Sequence, residues 1–497
     1  MKTPSFTTAF TAASLLAFTS SAEPVTKRQL PIVEAEALVN SIVREDLLGC
    51  AQDLEDIAYA TSRKNRLHGT EGHLNTVKYF VDQLNSLGDY YNIELQDFTT
   101  EITLGSHAEL SIDNKTVEAG SFSLGSNGTW TDTPLVTVAN LGCAAADHPD
   151  TLTGKLALIA RGDCTFVQKL ELAGEKGAIG AIIYNSEDTG VATGTLGGAK
   201  ELIPVAGITR AEGLSIASRI AEGATVKSAG EFWQYIANAT SQNVIASSKG
   251  GDAENVVFLG AHSDSVEEGA GINDNGSGSC GILTVAKALA KWGTNNQVRF
   301  AWWTAEEEGL LGSEHYVNTS AKADLDKVRL YLNFDMIASP NYVLGIYDGD
   351  GSSYNLSGPA GSAEAEKMFE DYYTSKNLPF VGSEFSGRSD YGPFLDAGVP
   401  CGGLAAGSDG IKTEDEVAKF GGTAGIQYDS NYHTAKDNMT NLNLEAFEVT
   451  SKAIAHAVAT YGKSWEGFPV RNNFTTAMVT KHSSIAKKST CGEKAIH

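Results

Sequence analysis

The second half of the chain alternates short apolar runs with helix-like segments. Four runs are strand-like, and they are separated by stretches with helical apolar spacing such as "SCGILTVAKALAKWG"; the runs are "NVIASSKG", "NVVFLGAHSD", "QVRFAWWTAE" and "VRLYLNFDMI". This alternation is typical of an α/β sandwich built on a largely parallel or mixed sheet. The pattern predicts one such domain over residues 233–465.

Residues 29–100 have a different periodicity. Within them, residues 33–88 are predicted to be helical, because apolar side chains recur about every 3.6 positions. The helical pattern ends at Gly88, a residue type that commonly follows a helix C-terminus. The next stretch, "YYNIELQDFTTEI", alternates like a strand. We interpret this region as the N-terminal part of the same domain.

Residues 101–232 are rich in short strands and turns. Apolar runs such as "KLALIARG", "AIGAIIYN" and "IPVAGITR" are separated by Gly, Asp and Thr, with one helix-like segment, "TFVQKLELAGEKG", between them. The stretch from Gly142-Cys143 to "IPVAGITRAEGLSIASRI" resembles a protease-associated domain. The resemblance implies a β-rich insert that flanks a peptidase site, and no catalytic cluster is visible within it.

The two ends of the chain differ from the rest. Lys2, the apolar stretch "FTTAFTAASLLAF" and Ser20-Ser21-Ala22 have the pattern of a signal peptide, residues 1–22, cut after Ala22. Lys27-Arg28 suggests a dibasic processing site that ends a propeptide, residues 23–28. Residues 466–497 form a polar tail. We therefore expect a secreted, extracellular protein, with the vacuolar lumen as the alternative.

Length and charge narrow the classes of partner. The 497 residues suffice for more than one domain. The net charge of −24, from 61 acidic and 37 basic residues, argues against nucleic acid and anionic membranes as partners.

Sequons and cysteines both suit an oxidising compartment. Asn-x-Ser/Thr sequons predict glycosylation at seven positions, whereas Asn275 lies within the candidate site and is not expected to carry sugar. The seven are Asn114, Asn127, Asn238, Asn318, Asn355, Asn438 and Asn473. Six cysteines allow three disulfides. Cys143–Cys164 is favoured because both lie in one candidate domain; Cys280–Cys401 is a weaker pairing, and Cys50–Cys491 is what remains.

Polar side chains follow the apolar runs at five places. They are His262 with Asp264 in "GAHSDS", Asp274 in "GINDNGSG", Glu306 with Glu307 in "WWTAEEEGLLGS", Asp335 in "YLNFDMI" and His433 in "DSNYHTAKDNM". In open α/β sheets, ligands bind beyond the carboxyl ends of the strands. Two His and three carboxylates suit a pair of Zn²⁺ ions that share one carboxylate. The pattern therefore predicts a metal site at this edge.

The order of these motifs resembles that of the secreted di-zinc aminopeptidases, which include leucine aminopeptidases of bacteria and fungi. The matching strings are His262-x-Asp264, "NDNGSG", "AWWTAEEEGLLGS", "YLNFDMIASPN", "GRSDYGPFLDAGVPCGGL" and "YHTAKDN". The resemblance implies a three-layer α/β/α sandwich with a mixed, mostly parallel sheet. It also implies two Zn²⁺ per chain, peptide substrates with a free N-terminus, and a preference for large apolar residues such as Leu. We expect a monomer.

The same resemblance assigns roles to individual residues. One zinc would be bound by His262, Asp274 and Asp335, and the other by Asp274, Glu307 and His433. Glu306 would be the general base, and Glu308 a bystander. Asp264 would orient the His262 ring. Tyr432 would stabilise the oxyanion, while Arg388 and Asp390 would shape the pocket near the substrate amine.

One departure and two alternatives remain open. Some relatives have a disulfide flanking the Tyr-His pair, but here Asn431 and Lys436 occupy those positions, so the loop must be held otherwise.

The first alternative is a di-zinc carboxypeptidase or amidohydrolase, which usually carries a carboxylate-binding Arg or Lys cluster. The second is a binding or receptor protein on the same scaffold, which would lack some ligands.

Overall fold

The computed structural model describes residues 30–162, 164–186, 190–196 and 202–470. The predicted signal peptide and propeptide, Cys491, Asn473 and most of the predicted tail lie outside the described residues. Three helices and a long strand begin the described chain: α1 (Ala35–Asn40), α2 (Arg44–Tyr59), α3 (Glu71–Asn85) and β1 (Tyr91–Ile112). The helices lie within the region that the apolar periodicity predicts to be helical.

The insert follows β1 and consists mainly of short strands. Its elements are β2 (Lys115–Val117), β3 (Phe122–Ser123), β4 (Gly128–Thr137), β5 (Leu156–Ala160), α4 (Phe166–Glu175), β6 (Gly180–Tyr184), β7 (Gly194–Thr195), β8 (Val205–Ile208) and α5 (Arg210–Ala221). Side chains of Thr165 and Thr209 cap α4 and α5 by accepting hydrogen bonds from backbone N–H groups in the first turn. Strands β4, β5, β6 and β8 are parallel neighbours.

The remaining elements alternate as the sequence predicts. The strands are β9 (Lys227–Ser248), β10 (Asp252–His262), β11 (Asn296–Trp303), β12 (Val328–Phe334), β13 (Gly345–Tyr347), β14 (Val381–Ser383) and β15 (Cys401–Ala405). The helices are α6 (Gly278–Leu289), α7 (Leu311–Thr319), α8 (Lys322–Leu325), α9 (Ser362–Ser375), α10 (Tyr391–Asp396), α11 (Glu414–Phe420) and α12 (Leu444–Lys463).

One mixed sheet forms the centre of the peptidase-like part, in the order β14-β13-β15-β12-β10-β11-β9-β1. Strands β11, β10, β12 and β15 run parallel, and β9 runs antiparallel to β11. Alternate residues of β10 enter two separate cores. Val257 and Leu259 pack with residues of α2, α6 and α12, and Val256 and Phe258 pack with residues of α7 and α10. The three-layer α/β/α sandwich is therefore confirmed.

Strands β1 and β9 belong to both parts of the molecule. They pair from Tyr91↔Ser248 at one end to Ile112↔Ser228 at the other. One end of β9 pairs with β11, and the other end pairs with β4 of the insert. The predicted boundaries at 101 and 232 therefore fall inside two continuous strands, and the insert is an extension of the central sheet.

Two disulfides are present among the described residues. Cys143–Cys164 lies in the insert, as the sequence favours. The pairing of Cys280 with Cys401 is wrong, because Cys280 on α6 bonds to Cys50 on α2, and this also removes the leftover Cys50–Cys491 pairing. The two helices are neighbours in the same core. The sequence does not indicate this contact, because the two cysteines are 230 residues apart. Cys401 is buried, and its thiol donates to the carbonyl of Val399 at 3.3 Å.

The predicted tail begins too early. Phe468 is buried against Tyr461 and Trp465, and Arg329 donates to the carbonyl of Pro469 at 2.8 Å.

Five predicted glycosylation sites, Asn114, Asn127, Asn238, Asn318 and Asn355, are exposed, Asn438 is half-buried and Asn275 is buried. No helix in the described part of the chain combines the length and apolar character needed to cross a bilayer.

Candidate metal centre

The predicted ligands meet at one edge of the sheet. His262 is the last residue of β10, Glu306 and Glu307 follow β11, and Asp335 directly follows β12. Because these three strands are parallel neighbours, their carboxyl ends lie side by side. Asp274 comes from the loop between β10 and α6, and His433 from the loop between α11 and α12.

Two groups of ligand atoms form there, joined by Asp274. His262 Nε2 lies 3.2 Å from Asp274 Oδ1 and 3.4 Å from Asp335 Oδ1. His433 Nε2 lies 3.1 Å from Asp274 Oδ2 and 2.9 Å from Glu307 Oε2. The two oxygens of one carboxylate thus face two different imidazoles, as a bridging ligand requires.

These distances fit metal binding. Two ligands on one tetrahedral Zn²⁺, each at about 2.0–2.1 Å, lie about 3.3 Å apart. His262 Nε2, Asp335 Oδ1 and Glu307 Oε1 are buried and have no hydrogen-bond partner. Buried polar atoms are normally satisfied, so a shared cation at each group would explain both the spacing and the missing hydrogen bonds. The five residues therefore fit two zinc ions.

Glu306 lies at the edge of this cluster. Its Oε2 is 3.8 Å from His262 Nε2, farther than the carboxylates of Asp274 and Asp335. Burial raises its pKa well above the usual range; His262 opposes this shift, while Asp335 and Asp390 add to it. Its carboxylate lies in one group with ligand atoms of His262 and Asp335, and a cation bound there would favour its ionised form.

Asp264 connects His262 with the acidic turn, the segment that carries Glu306 and Glu307. Its Oδ1 lies 3.5 Å from Nδ1 of His262, on the side of the ring away from the other ligands. The same carboxylate accepts hydrogen bonds from the backbone N–H groups of Glu306 at 3.2 Å and Glu307 at 3.3 Å. Asp264 therefore positions an imidazole and two carboxylate-bearing residues together, which is more than the tautomer control that the sequence predicts.

Three residues at the site have a left-handed backbone. Ala305, directly before Glu306, has φ of 55°, Met336, directly after Asp335, has φ of 50°, and His433 itself has φ of 55°. Such conformations cost a non-glycine residue about 1–3 kcal/mol each and persist only where the surroundings enforce them. The fold thus holds the ligand-bearing segments in conformations that they would not adopt alone.

Arg66 is a buried cation beneath the site that the sequence did not single out. It lies in the segment between α2 and α3 and is fully buried. Its guanidinium donates to the carbonyls of Ser263, Ala270 and Gly271, the last two at 2.8 and 2.6 Å. Burial lowers its pKa to about 10, so the group stays positively charged at neutral pH. Arg66 therefore fixes the backbone on both sides of the loop that follows His262 and precedes Asp274.

Asp437 and Asp429 hold the loop that carries His433. Asp437 accepts from the backbone N–H groups of Asn273 at 2.8 Å and Asp274 at 2.9 Å. Asp429 accepts from the side-chain amides of Asn273 at 2.7 Å and Asn441 at 2.8 Å. These bonds tie the loop to the bridging ligand, so hydrogen bonds hold the loop in place. Asp437 follows His433 in the motif "YHTAKDN", and its place in that motif is the sequence signal for its role.

Tyr432 and Arg388 lie beside the cluster, and Asp390 lies below it. The Tyr432 ring stacks on His433 with centroids 3.8 Å apart, and both residues line the cavity with Arg388. Arg388 pairs with Asp409 at 3.4 Å. Asp390 is buried, which raises its pKa to about 7, and it is not among the residues that line the cavity.

Ser389, the neighbour of Asp390, contacts the cluster directly. Its hydroxyl donates to Asp335 Oδ2 at 2.5 Å and accepts from the Asn333 side chain at 2.8 Å. These two bonds orient Asp335 so that its other oxygen, Oδ1, faces His262.

A cavity of about 520 Å³ opens above the ligands and is enclosed by both parts of the molecule. The peptidase-like part contributes Met336, Val343 and Tyr347 to its wall. The insert and its connecting strand contribute small polar residues, which are Thr103, Ser106, Ser121, Ser123, Thr193 and Thr195. The insert therefore borders the site directly.

Comparison with known proteins agrees with both parts of this architecture. Residues 243–458 match Peptidase family M28, and residues 131–216 match the PA domain. The chain is 49% identical over 461 residues to a probable leucine aminopeptidase 2 of Aspergillus fumigatus, covering 92% of this chain and 90% of that protein. It is 45% identical over 469 residues to leucine aminopeptidase 2 of Trichophyton equinum, covering 94% of each.

Solved structures show the same fold. An aminopeptidase from Aneurinibacillus sp. strain AM-1 superimposes with a TM-score of 0.72 at 26% identity, covering 89% of this chain and 99% of that one. A zinc aminopeptidase from Bacillus subtilis gives 0.63 at 25% identity, covering 90% and 98%. The fold and these similarities define a metallopeptidase. The chain belongs to Peptidase family M28 and carries a PA domain, so both resemblances drawn from the sequence are confirmed.

Replacing Arg66 tests whether it positions the ligands. Arg66→Lys keeps the charge but cannot reach three carbonyls in fixed geometry. We expect zinc affinity, measured by competition with a chromophoric chelator, to fall about 10–100-fold, as losses of supporting contacts around metal ligands typically do.

Arg63→Gln is the matched control. Arg63 is an exposed neighbour that donates to Leu104 and pairs with Glu267, and it does not contact the loop carbonyls that Arg66 binds. Its loss should leave zinc affinity unchanged. If Arg66→Lys lowers the thermal stability of the metal-free protein but binds zinc as the wild type does, Arg66 is only a structural residue.

Proposed function

We propose that this chain is a secreted aminopeptidase that uses two zinc ions and the general base Glu306 to remove N-terminal residues, preferably large apolar ones such as Leu. The observation that carries the proposal is the Asp274 carboxylate between His262 and His433, with Glu306 grouped beside His262 and Asp335. Zinc is supported by the similarity to a zinc aminopeptidase. Leu preference is supported by the relatives described as leucine aminopeptidases.

The ligands would divide as the sequence implies. His262, Asp274 and Asp335 would hold one ion, and Asp274, Glu307 and His433 the other. Bound zinc would lower the pKa of a coordinated water and polarise the scissile carbonyl. Asp264 and Arg66 would keep the ligand-bearing segments in place without touching the substrate.

Glu306 would carry the proton. Its carboxylate takes a proton from the attacking water and passes it to the leaving amine, which keeps the peptide nitrogen from departing as an anion. The phenol of Tyr432 would donate a hydrogen bond to the oxygen of the tetrahedral intermediate, because its ring lies next to His433 in the cavity wall. Arg388 lies in the same wall, and its pairing with Asp409 would hold it near Tyr432.

The free amine would bind next to Glu306 and Asp335. Two Zn²⁺ supply four positive charges against the four carboxylates of Asp274, Glu306, Glu307 and Asp335, so the site is close to neutral and can accept hydrogen bonds from an amine. Met336, Val343 and Tyr347 form an apolar wall suited to a Leu side chain. The insert would limit access to flexible peptide ends, because it encloses the cavity from the opposite side.

Peptides with a free N-terminus are the proposed partners, and the protein would act outside the cell as a monomer. The two alternatives fit less well. The cavity wall contains one arginine, Arg388, and no lysine among the described residues, whereas a carboxylate-binding site would need a cationic cluster. A non-catalytic binding protein would have lost ligands, but all five are brought together here.

Glu306→Gln tests the general base. The amide keeps the size of the side chain but cannot accept the proton, so kcat should fall about 10²–10⁴-fold while both zinc ions stay bound. Steady-state kinetics on Leu-anilide, together with metal analysis, check this. Glu307→Gln is the control and should lose zinc. The reverse result, with zinc lost from Glu306→Gln and retained by Glu307→Gln, would exchange the two roles.

N-acetylation of the substrate tests the requirement for an amine. A buried site that pairs with an amine is left with unsatisfied acceptors when the amine is blocked, and discrimination can reach about 10⁴-fold. N-acetyl-Leu-anilide should therefore be nearly inert while Leu-anilide is cleaved, with the chelator-treated enzyme as the blank. Equal rates for the two substrates would favour the amidohydrolase alternative.

A further inference from the structure

We infer that hydroxyl groups of the insert bind the peptide backbone that follows the scissile bond, so that longer peptides are better substrates than dipeptides. These groups belong to one set of cavity-lining side chains, the hydroxyl face, which consists of Ser121, Ser123, Thr193 and Thr195. The inference rests on the proposed aminopeptidase function and adds the class of substrate that the same cavity selects.

The alternation of side chains along β3 directs half of the hydroxyl face into the cavity. Phe122 is 1% exposed and packs against Phe166 in the core of the insert, with ring centroids 4.8 Å apart. Successive side chains of a strand point to opposite sides. Ser121 and Ser123, on either side of Phe122, therefore point away from that core, and both line the cavity.

The segment that contains β7 has the same arrangement. Ala192 and Leu196 are buried in the core of the insert, whereas Thr193 and Thr195, which lie between them, line the cavity. Among the described residues, those that the insert contributes to this wall are all Gly, Ser or Thr. The insert therefore offers the cavity a surface that is neutral and able to form hydrogen bonds.

Three hydroxyl groups of this face are free to bind a substrate. Those of Ser121, Ser123 and Thr193 form no hydrogen bond with the described residues, and their oxygens are open to solvent. A hydroxyl group donates one hydrogen bond and can accept two. It can therefore pair with either the N–H or the carbonyl group of a peptide, whatever side chains the peptide carries.

The two long strands of the sheet hold β3 in position. Thr103 of β1 accepts a hydrogen bond from the backbone N–H of Leu124, directly after β3, at 2.8 Å. The side-chain amide of Gln234 on β9 donates to the carbonyl of Phe122 at 2.6 Å. A binding group is most effective when its support is rigid, and these bonds fix the strand that carries Ser123.

The cavity has more room than the residue before the scissile bond requires. Its volume is about 520 Å³, whereas a cavity of about 150 Å³ already holds a benzene molecule. An aminopeptidase binds a single residue before the scissile bond, and the proposed place for its side chain is the wall formed by Met336, Val343 and Tyr347. The remaining space is left for the residues after the bond, and the hydroxyl face borders it on the side of the insert.

The test compares the C-terminal amides of Leu-Gly and Leu-Gly-Gly-Gly. Amides avoid repulsion between a terminal carboxylate and acidic residues of the cavity wall such as Glu267 and Glu384. Zinc-loaded enzyme should release Leu from the longer peptide with a kcat/KM about tenfold higher, because each neutral hydrogen bond contributes about two- to tenfold. Leu-anilide reports the proposed function separately. Equal values for the two peptides, with Leu-anilide cleaved, would overturn this inference alone, whereas no cleavage of Leu-anilide would overturn the proposed function as well.

A variant that combines Ser121→Ala, Ser123→Ala and Thr193→Val should bring the ratio of the two kcat/KM values to within about twofold. The ratio is insensitive to zinc occupancy, which affects both peptides alike. Thr131→Val is the matched control, because Thr131 is an exposed residue of the insert that does not line the cavity; the ratio should be retained. A tenfold ratio in the triple variant, or an equal loss in the control, would refute binding by the hydroxyl face.

Discussion

The carboxylate of Asp274 faces two imidazoles at once, and much of the surrounding structure keeps it there. Its two oxygens lie 3.2 Å from His262 Nε2 and 3.1 Å from His433 Nε2. A buried cluster of this kind is unfavourable unless cations complete it. The parallel strands bring His262, Glu307 and Asp335 to the same edge, and the loops deliver Asp274 and His433 to meet them.

Support for that arrangement comes from groups that do not touch a substrate. Arg66 binds the loop carbonyls from beneath, Asp264 joins His262 to the acidic turn, and Asp437 ties the His433 loop to the backbone of Asp274. The left-handed backbone at Ala305 and Met336 shows that the fold enforces these positions. The catalytic geometry therefore depends on a rigid frame as much as on the ligands.

Much of this could be predicted from the sequence. The spacing of apolar residues indicates the secondary structure, and the polar residues that follow apolar runs indicate where strands end. Apolar runs ending in His262, Glu306 and Asp335 predict strand ends, and strand ends of a parallel sheet converge. The Cys50–Cys280 disulfide and the role of Arg66 depend on packing between distant segments, which no local pattern encodes. The boundary of the insert could not be predicted either, because strands β1 and β9 continue across it.

Diffraction data collected on either side of the zinc absorption edge, from crystals of the zinc-loaded protein, would test the central claim most directly. We predict two anomalous peaks about 3.5–4 Å apart, one beside His262 and one beside His433, with the Asp274 carboxylate between them. A single peak in the cavity, or a second peak that does not contact Asp274, would contradict the account.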